Sequence, residues 1–244
     1  MKELKKKYKI VLIAIFSLIC LIGIIYSSIN IYKWIKDTNS NKDIKEEIDK
    51  NIVVDKEKDV YKIDFKTLKK KNPDTVAYIK VNGTNIDYVI VRGTDNEYYL
   101  KHNFNKEYNI AGWIYSDYRN KFDESDKNIV IFGHDTKDGS MFGTLSNVLD
   151  NKWSNNKDNL IVTLVTEKNK YKYQVFSTYS IVAEDYYINT EFNSNEEFDE
   201  FIKELKSRST YDYGIEVSGD DKILTLSSCI GDGTKRVVLH AKLI

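Results

Sequence analysis

Near the C-terminus the chain reads Ile223-Leu-Thr-Leu-Ser-Ser-Cys229, then a glycine-containing turn over Ile230–Lys235, then Arg236 and Val237-Val-Leu-His-Ala-Lys-Leu243. Two runs of apolar and β-branched residues separated by a short turn read as two strands of a hairpin. A hairpin returns its second strand along its first, so Arg236, at the start of the last strand, comes back beside Cys229, at the end of the one before.

Working outward, other segments carry the same strand signal. Tyr171, Tyr173, Val175, Tyr179, Ile181 and Ala183 recur at period two and predict one strand with these residues on a single face. Val76–Val81 and Tyr88–Val91 read as strands around Asn82-Gly83, Leu160–Val165 as another, and Ala111–Tyr115 as a short one. Asn128–Phe132 is continuously apolar after its first residue, as in a strand buried on both faces, and ends at Gly133-His134. Helices are fewer. Asp64–Lys71 is capped by Asp64 and stopped by Asn72-Pro73, and Met141–Leu149 reads as a short helix. Ser194–Ser207 opens on the capping-box pair Ser194 and Glu197 and carries the stripe Phe198, Phe201, Ile202, Leu205. Many strands, 18 tyrosines, a single proline and short connections predict a mainly β fold, a barrel or closed sheet with peripheral helices.

The N-terminus differs. Residues Lys2–Lys9 hold five lysines and one glutamate, and the run from Ile10 to Tyr32 has no charge. A helix of about 20 apolar residues crosses a bilayer, and lysines favour the cytoplasmic side. The expectation is a cytoplasmic tail over 1–9, a retained single-pass transmembrane anchor over 10–32, a charged, partly helical linker over 33–60, and an extracellular folded domain over 61–244. Lys and Arg balance Asp and Glu at 37 each, which gives no electrostatic case for nucleic acid. Of the two cysteines, Cys20 falls in the anchor and Cys229 in the outer domain, so no disulfide links them and one thiol stands outside. No zinc-type Cys/His spacing occurs, and the Asp123-Glu-Ser-Asp126 turn lacks the ordered ligand spacing of a calcium loop, so neither metal nor organic cofactor is expected.

Cys229, His134 and Arg236 are the candidate catalytic residues. A thiolate is an intrinsically strong nucleophile, a histidine takes its proton and returns one to a leaving amine, and a fixed cation stabilises an oxyanion. Each alone has a plainer role: a buried small hydrophobe, a packing histidine, a solvated cation. Of the other histidines, His240 lies inside the terminal strand and reads as structural, and His102 follows Tyr98-Tyr99-Leu100 as a surface or packing residue. The combination of three strand ends points to acyl transfer.

At these residues the chain resembles a class B sortase, a cysteine transpeptidase of Gram-positive bacteria. The family pattern is a histidine after an apolar strand, a TLxTC-like strand end and an arginine opening the next strand. Here these are His134, Thr225-Leu-Ser-Ser-Cys229, with Ser228 in place of threonine, and Arg236. Asn72-Pro-Asp-Thr-Val-Ala-Tyr-Ile-Lys80, Tyr98-Tyr-Leu-Lys-His-Asn-Phe104, Ala111-Gly-Trp-Ile-Tyr-Ser-Asp117 and Gly133-His-Asp-Thr-Lys-Asp-Gly-Ser-Met-Phe-Gly143 are also similar to class B members, over roughly Tyr61–Ile244. The resemblance implies an eight-stranded sortase-type β-barrel with an N-terminal helical extension and a helix in the segment before the cysteine strand. It implies cleavage after threonine in a pentapeptide sorting signal of the NPxTx or PxTG kind. A thioester on Cys229 then passes the surface protein to an amine of a peptidoglycan precursor or cross-bridge. Substrate contacts are expected at Ser227, Ser228, Tyr187, Ile188 and Thr190. Three alternatives stay open: an extracytoplasmic cysteine peptidase or hydrolase, a non-enzymatic membrane-tethered interaction domain, and a pilus-polymerising sortase.

Overall fold

The computed structural model describes residues 2–55, 58–182, 184–230 and 234–244, with residues 2–5, Cys229 and Ile230 described by backbone alone. Helix α1 (Lys2–Asp49) runs unbroken out of the apolar segment. Its side chains from Ile10 to Tyr32 are exposed, as befits a segment long and apolar enough to cross a membrane. The last turns are different. Ile44 and Ile48 are buried against the folded domain. Each such isoleucine removed from water stabilises by roughly 1.5–3 kcal/mol. The Asn41 amide donates to Asn109 Oδ1 (3.2 Å) and to the Gly112 carbonyl (3.0 Å). The charged stretch thus carries its own docking face, with a small hairpin, β1 (Ile52–Asp55) and β2 (Val60–Ile63), beyond it.

Next come α2 (Phe65–Lys71), β3 (Thr75–Val81), β4 (Asp87–Val91), β5 (Tyr115–Ser116) and β6 (Asn128–Gly133). They are followed by α3 (Asn151–Ser154), β7 (Ile161–Thr166), β8 (Lys170–Val182), α4 (Asn195–Ser207), β9 (Ile223–Ile230) and β10 (Lys235–Leu243). Eight strands close into a barrel in the order β10-β8-β7-β3-β4-β5-β6-β9. The caps form as the sequence requires: Asp64 accepts from Thr67 N (3.0 Å), and Ser194 accepts from Glu197 N (3.2 Å). Glu197 completes its box one residue early, accepting from Asn193 N (2.8 Å).

Three sequence expectations need correction. The stretch predicted as a helix over Met141–Leu149 is helical only from Leu145, as a 3-10 turn, because Met141 takes φ +49° and pairs back to Asp135. The strand expected over Ala111–Tyr115 is confined to Tyr115–Ser116, since Gly112 is left-handed at φ +54° and stands against the Tyr99 and Leu100 carbonyls. The third concerns β8. Ala241 pairs with Val175 but His240 pairs with Ser177, so Phe176 is an extra residue and the face of the strand switches there. Tyr173 and Val175 enter the barrel core with Tyr171 against it, whereas Phe176, Tyr179 and Ile181 pack outside it, with Phe198, Ile202 and Leu205 of α4. The period-two set therefore spans two faces, both covered; Ala183 lies outside the described residues.

Candidate active site

Strand direction builds the site. β6 and β9 run parallel, with Gly133 opposite Ser228, so His134 and Cys229 leave the barrel at the same rim, one step beyond that pair. β10 is antiparallel to β9, with Arg236 directly opposite Cys229. His134, remote in sequence, is thereby brought to the same end of neighbouring strands as Cys229 and Arg236. The thiol of Cys229 and residues 231–233 of the turn lie outside what is described.

His134 is half-buried, and its Nε2 lies 2.7 Å from the Leu100 carbonyl. A carbonyl only accepts, so Nε2 carries the proton and Nδ1 is the nitrogen left to exchange one. The turn that follows is tightly made. Phe142 N donates to the His134 carbonyl (3.0 Å), Met141 N to Tyr88 OH (3.0 Å), and Ser140 N to Asp138 Oδ1 (3.2 Å). A Cβ on Gly133 would stand 2.6 Å from the Phe142 ring, so glycine lets that ring support the strand end before the histidine. Burial raises the carboxyl of Asp135 above its ordinary range. Arg236 is half-buried and donates from Nη1 to the Lys235 carbonyl (3.1 Å).

The other histidines are held elsewhere. His102 stacks on Tyr98, with ring centroids 4.0 Å apart, and its Nδ1 meets the Tyr98 carbonyl at 2.7 Å. His240 is fully buried, as its place inside the last strand predicts.

The connection from β8 to α4 lies over the outer face of β9. Tyr187 OH meets Ser227 Oγ at 3.0 Å, and Ser227 and Ser228 are both buried. The Ile188 carbonyl accepts from Arg119 Nη2 (2.9 Å). Thr190 is buried, and its hydroxyl has no partner among the described residues. Two polar groups that sequence reasoning did not single out hold this segment in place. The first is Asp117. Burial opposes its charge, but the Arg119 fork (2.8 and 2.7 Å), the Arg119 backbone N–H and the Asn96 amide outweigh burial and hold the carboxyl below its usual range. The second is Asn128, whose amide donates to the Tyr187 (3.3 Å) and Asn189 (2.9 Å) carbonyls. An asparagine opening an otherwise apolar strand was the available signal for it.

The fold is thus a closed barrel whose strand register brings a histidine, a cysteine and an arginine to one rim. The sortase-domain family model matches residues 79–244. Sortase B of Listeria monocytogenes is 34% identical over 190 residues, 74% of each chain. The structure of Clostridium perfringens sortase B superposes with a TM-score of 0.69 at 39% identity, over 73% of this chain and 98% of that one. A Staphylococcus aureus sortase B–substrate complex matches with a TM-score of 0.69 at 33% identity, over 74% and 84%. The chain belongs to the sortase family, with class B members as its relatives, and is a sortase-type transpeptidase. The non-enzymatic reading is thereby set aside.

Proposed function

We propose that this transpeptidase cleaves a sorting signal of the NPxTx or PxTG kind after threonine and joins the acyl fragment to a peptidoglycan amine. The observation that carries the reading is the strand register that brings His134 and Arg236 to Cys229 at the end of β9. The Cys229 thiolate attacks the threonine carbonyl, and the resulting oxyanion is stabilised by the Arg236 guanidinium. The tetrahedral intermediate collapses as the C–N bond breaks, and protonated His134 gives its proton to the departing amine. A thioester remains. The incoming amine attacks it, His134 takes the amine's proton, and the thiolate leaves with a new amide formed. Tyr187, Ile188, Thr190, Ser227 and Ser228 contact the peptide; the buried Thr190 hydroxyl, which has no partner among the described residues, supports this, since a bound peptide would supply a hydrogen bond to it.

The apolar first half of α1 anchors the enzyme, with the lysines before it cytoplasmic and the barrel outside. The test uses fluorogenic peptides bearing both signal types, with increasing concentrations of an added amine. The amide product should rise at the expense of the hydrolysis product, and Cys229→Ala should abolish both. Products independent of the amine would favour a cysteine hydrolase. Turnover by Cys229→Ala would overturn the mechanism.

A further inference from the structure

The loop from Lys106 to Ala111 is clamped to the point where α1 leaves its apolar run. Ile110 N donates to Asp37 Oδ2 (3.0 Å), and the Asn109 amide donates to the Asp37 carbonyl (2.8 Å). The tip nevertheless leaves two large apolar side chains in the open, with Tyr108 68% and Ile110 55% exposed. Beside it a groove is lined by Ile31 and Trp34 of the helix, Ile110 and Ala111 of the loop, and His134 and Lys137 of the turn after β6.

The helix supplies a ruler. At about 1.5 Å per residue, the uncharged run Ile10–Tyr32 is about 34 Å long, against about 30 Å for a hydrocarbon core. Asp37 stands about 7–8 Å beyond Tyr32, and the headgroup layer is roughly 5–8 Å deep on each side. The loop hydrogen-bonded to Asp37 is therefore at headgroup level, and the turn carrying His134 borders a groove whose helical wall, at Ile31, still belongs to the uncharged run. Tyr32 and Trp34, about 7–8 and 4–5 Å nearer the apolar run than Asp37, are interfacial residue types, and Lys33, Lys36 and Lys137 are exposed cations suited to phosphate headgroups.

We propose that the 106–111 loop is a membrane-docking surface. Tyr108 and Ile110 sit in the interface of the bilayer that α1 crosses, and hold the rim bearing His134 facing the headgroups. The occupant of this apolar surface is the bilayer itself, because the surface continues directly from the transmembrane helix. The inference rests on the anchor reading, and its test separates the two.

The full chain, with both native cysteines replaced by serine, carries one environment-sensitive fluorophore at a time, on Ile19→Cys, Tyr108→Cys, Ile110→Cys or Lys168→Cys. Lys168 shares a groove with Lys50, about 24 Å further along the helix axis than Trp34. Each labelled protein is reconstituted into phosphatidylcholine–phosphatidylglycerol vesicles carrying a nitroxide on the headgroup or deep in the acyl chain. The label at position 19 should lose most of its emission to the deep nitroxide. Labels at 108 and 110 should lose most of theirs to the headgroup nitroxide, and the label at 168 should lose none to either. A quenched label at 19 with 108 and 110 as bright as 168 overturns the docking surface and leaves the anchor standing. A bright label at 19 overturns both.

Discussion

Acidification should destabilise this barrel through one buried imidazole. His240 is enclosed by the rings of Phe176, Tyr179 and Tyr187, and its tautomer is fixed by its neighbours. Thr225 donates to Asn128 Oδ1 (2.7 Å), so the Thr225 oxygen accepts from His240 Nδ1 (2.9 Å). Nε2 is then the acceptor for Tyr179 OH (2.9 Å), whose own oxygen accepts from Tyr186 OH (2.7 Å). No carboxylate touches the ring among the described residues, and the charges that act on the outer end of this chain of hydroxyls, at Tyr186, are Arg208, 4.5 Å from the Tyr186 ring centroid, and its ion-pair partners Glu204 and Glu184. Burial accordingly pushes the imidazole from 6.5 down to about 3. In the unfolded chain it titrates near its ordinary value, so from about 6.5 down to about 3 the unfolded state binds one proton more than the folded state. This stability is fully present above the unfolded value and is lost as pH falls through that window. From pH 7 to pH 5 the loss is about 2 kcal/mol. The depressed carboxyl of Asp117 titrates at lower pH, and raised Asp135 acts in the opposite sense. Both are common to wild type and His240→Asn, so the comparison isolates the histidine. Urea unfolding of the chain from Ser28 onward, followed by tryptophan fluorescence, should show the wild type losing about 2 kcal/mol more than His240→Asn over this range. At pH 7 the variant should be less stable by roughly 1–3 kcal/mol for its broken hydrogen bonds. Parallel pH profiles for the two proteins would refute the reasoning.

Three further outcomes follow from the site. Arg236→Lys keeps the charge and loses the guanidinium fork; kcat/KM for peptide cleavage should fall by about 10²–10³, and a loss under ten-fold would remove Arg236 from oxyanion stabilisation. Thr190→Val removes, at nearly constant shape, a buried hydroxyl that has no partner among the described residues. Its melting temperature should hold or rise while kcat/KM falls about ten-fold, and unchanged kcat/KM would take Thr190 out of the peptide site. Asp117→Asn leaves Arg119 without its carboxylate and loosens the clamp on the Ile188 carbonyl. Unfolding free energy should drop by roughly 3 kcal/mol and peptide KM should rise, and a melting temperature within a degree of wild type would contradict the clamp.

What was legible in the sequence was legible for local reasons. Ser194 and Glu197 announce α4 because capping is a matter of a few adjacent atoms, and the stripe behind them names the face that packs on β8. The β9–β10 hairpin was legible because its apolar runs are bounded by a glycine-containing turn, and that register already places Arg236 across from Cys229. The strand pairing that brings in His134 was not, because β6 and β9 are parallel and the 89 residues separating Gly133, the end of β6, from Ile223, the start of β9, leave no local trace of it. The bulge at Phe176 was hidden because both faces of β8 are buried, one by the barrel and one by α4, so alternating hydrophobicity carries no mark of the switch. The buried face of α1 consists of Asn41, Ile44 and Ile48 among charged neighbours, too sparse a stripe to separate from a solvated spacer.

The central claim is covalent catalysis by Cys229, and intact-protein mass spectrometry of the full chain tests it most directly. The protein is mixed with an NPxTx or PxTG peptide, quenched in acid and digested. The expected result is a mass increase equal to the peptide fragment acid ending in threonine less one water, mapped to Cys229, labile to hydroxylamine, and lost with formation of an amide when an amine acceptor is added before quenching. Amine-dependent product with no adduct on Cys229, or an adduct mapped to another residue, would contradict it.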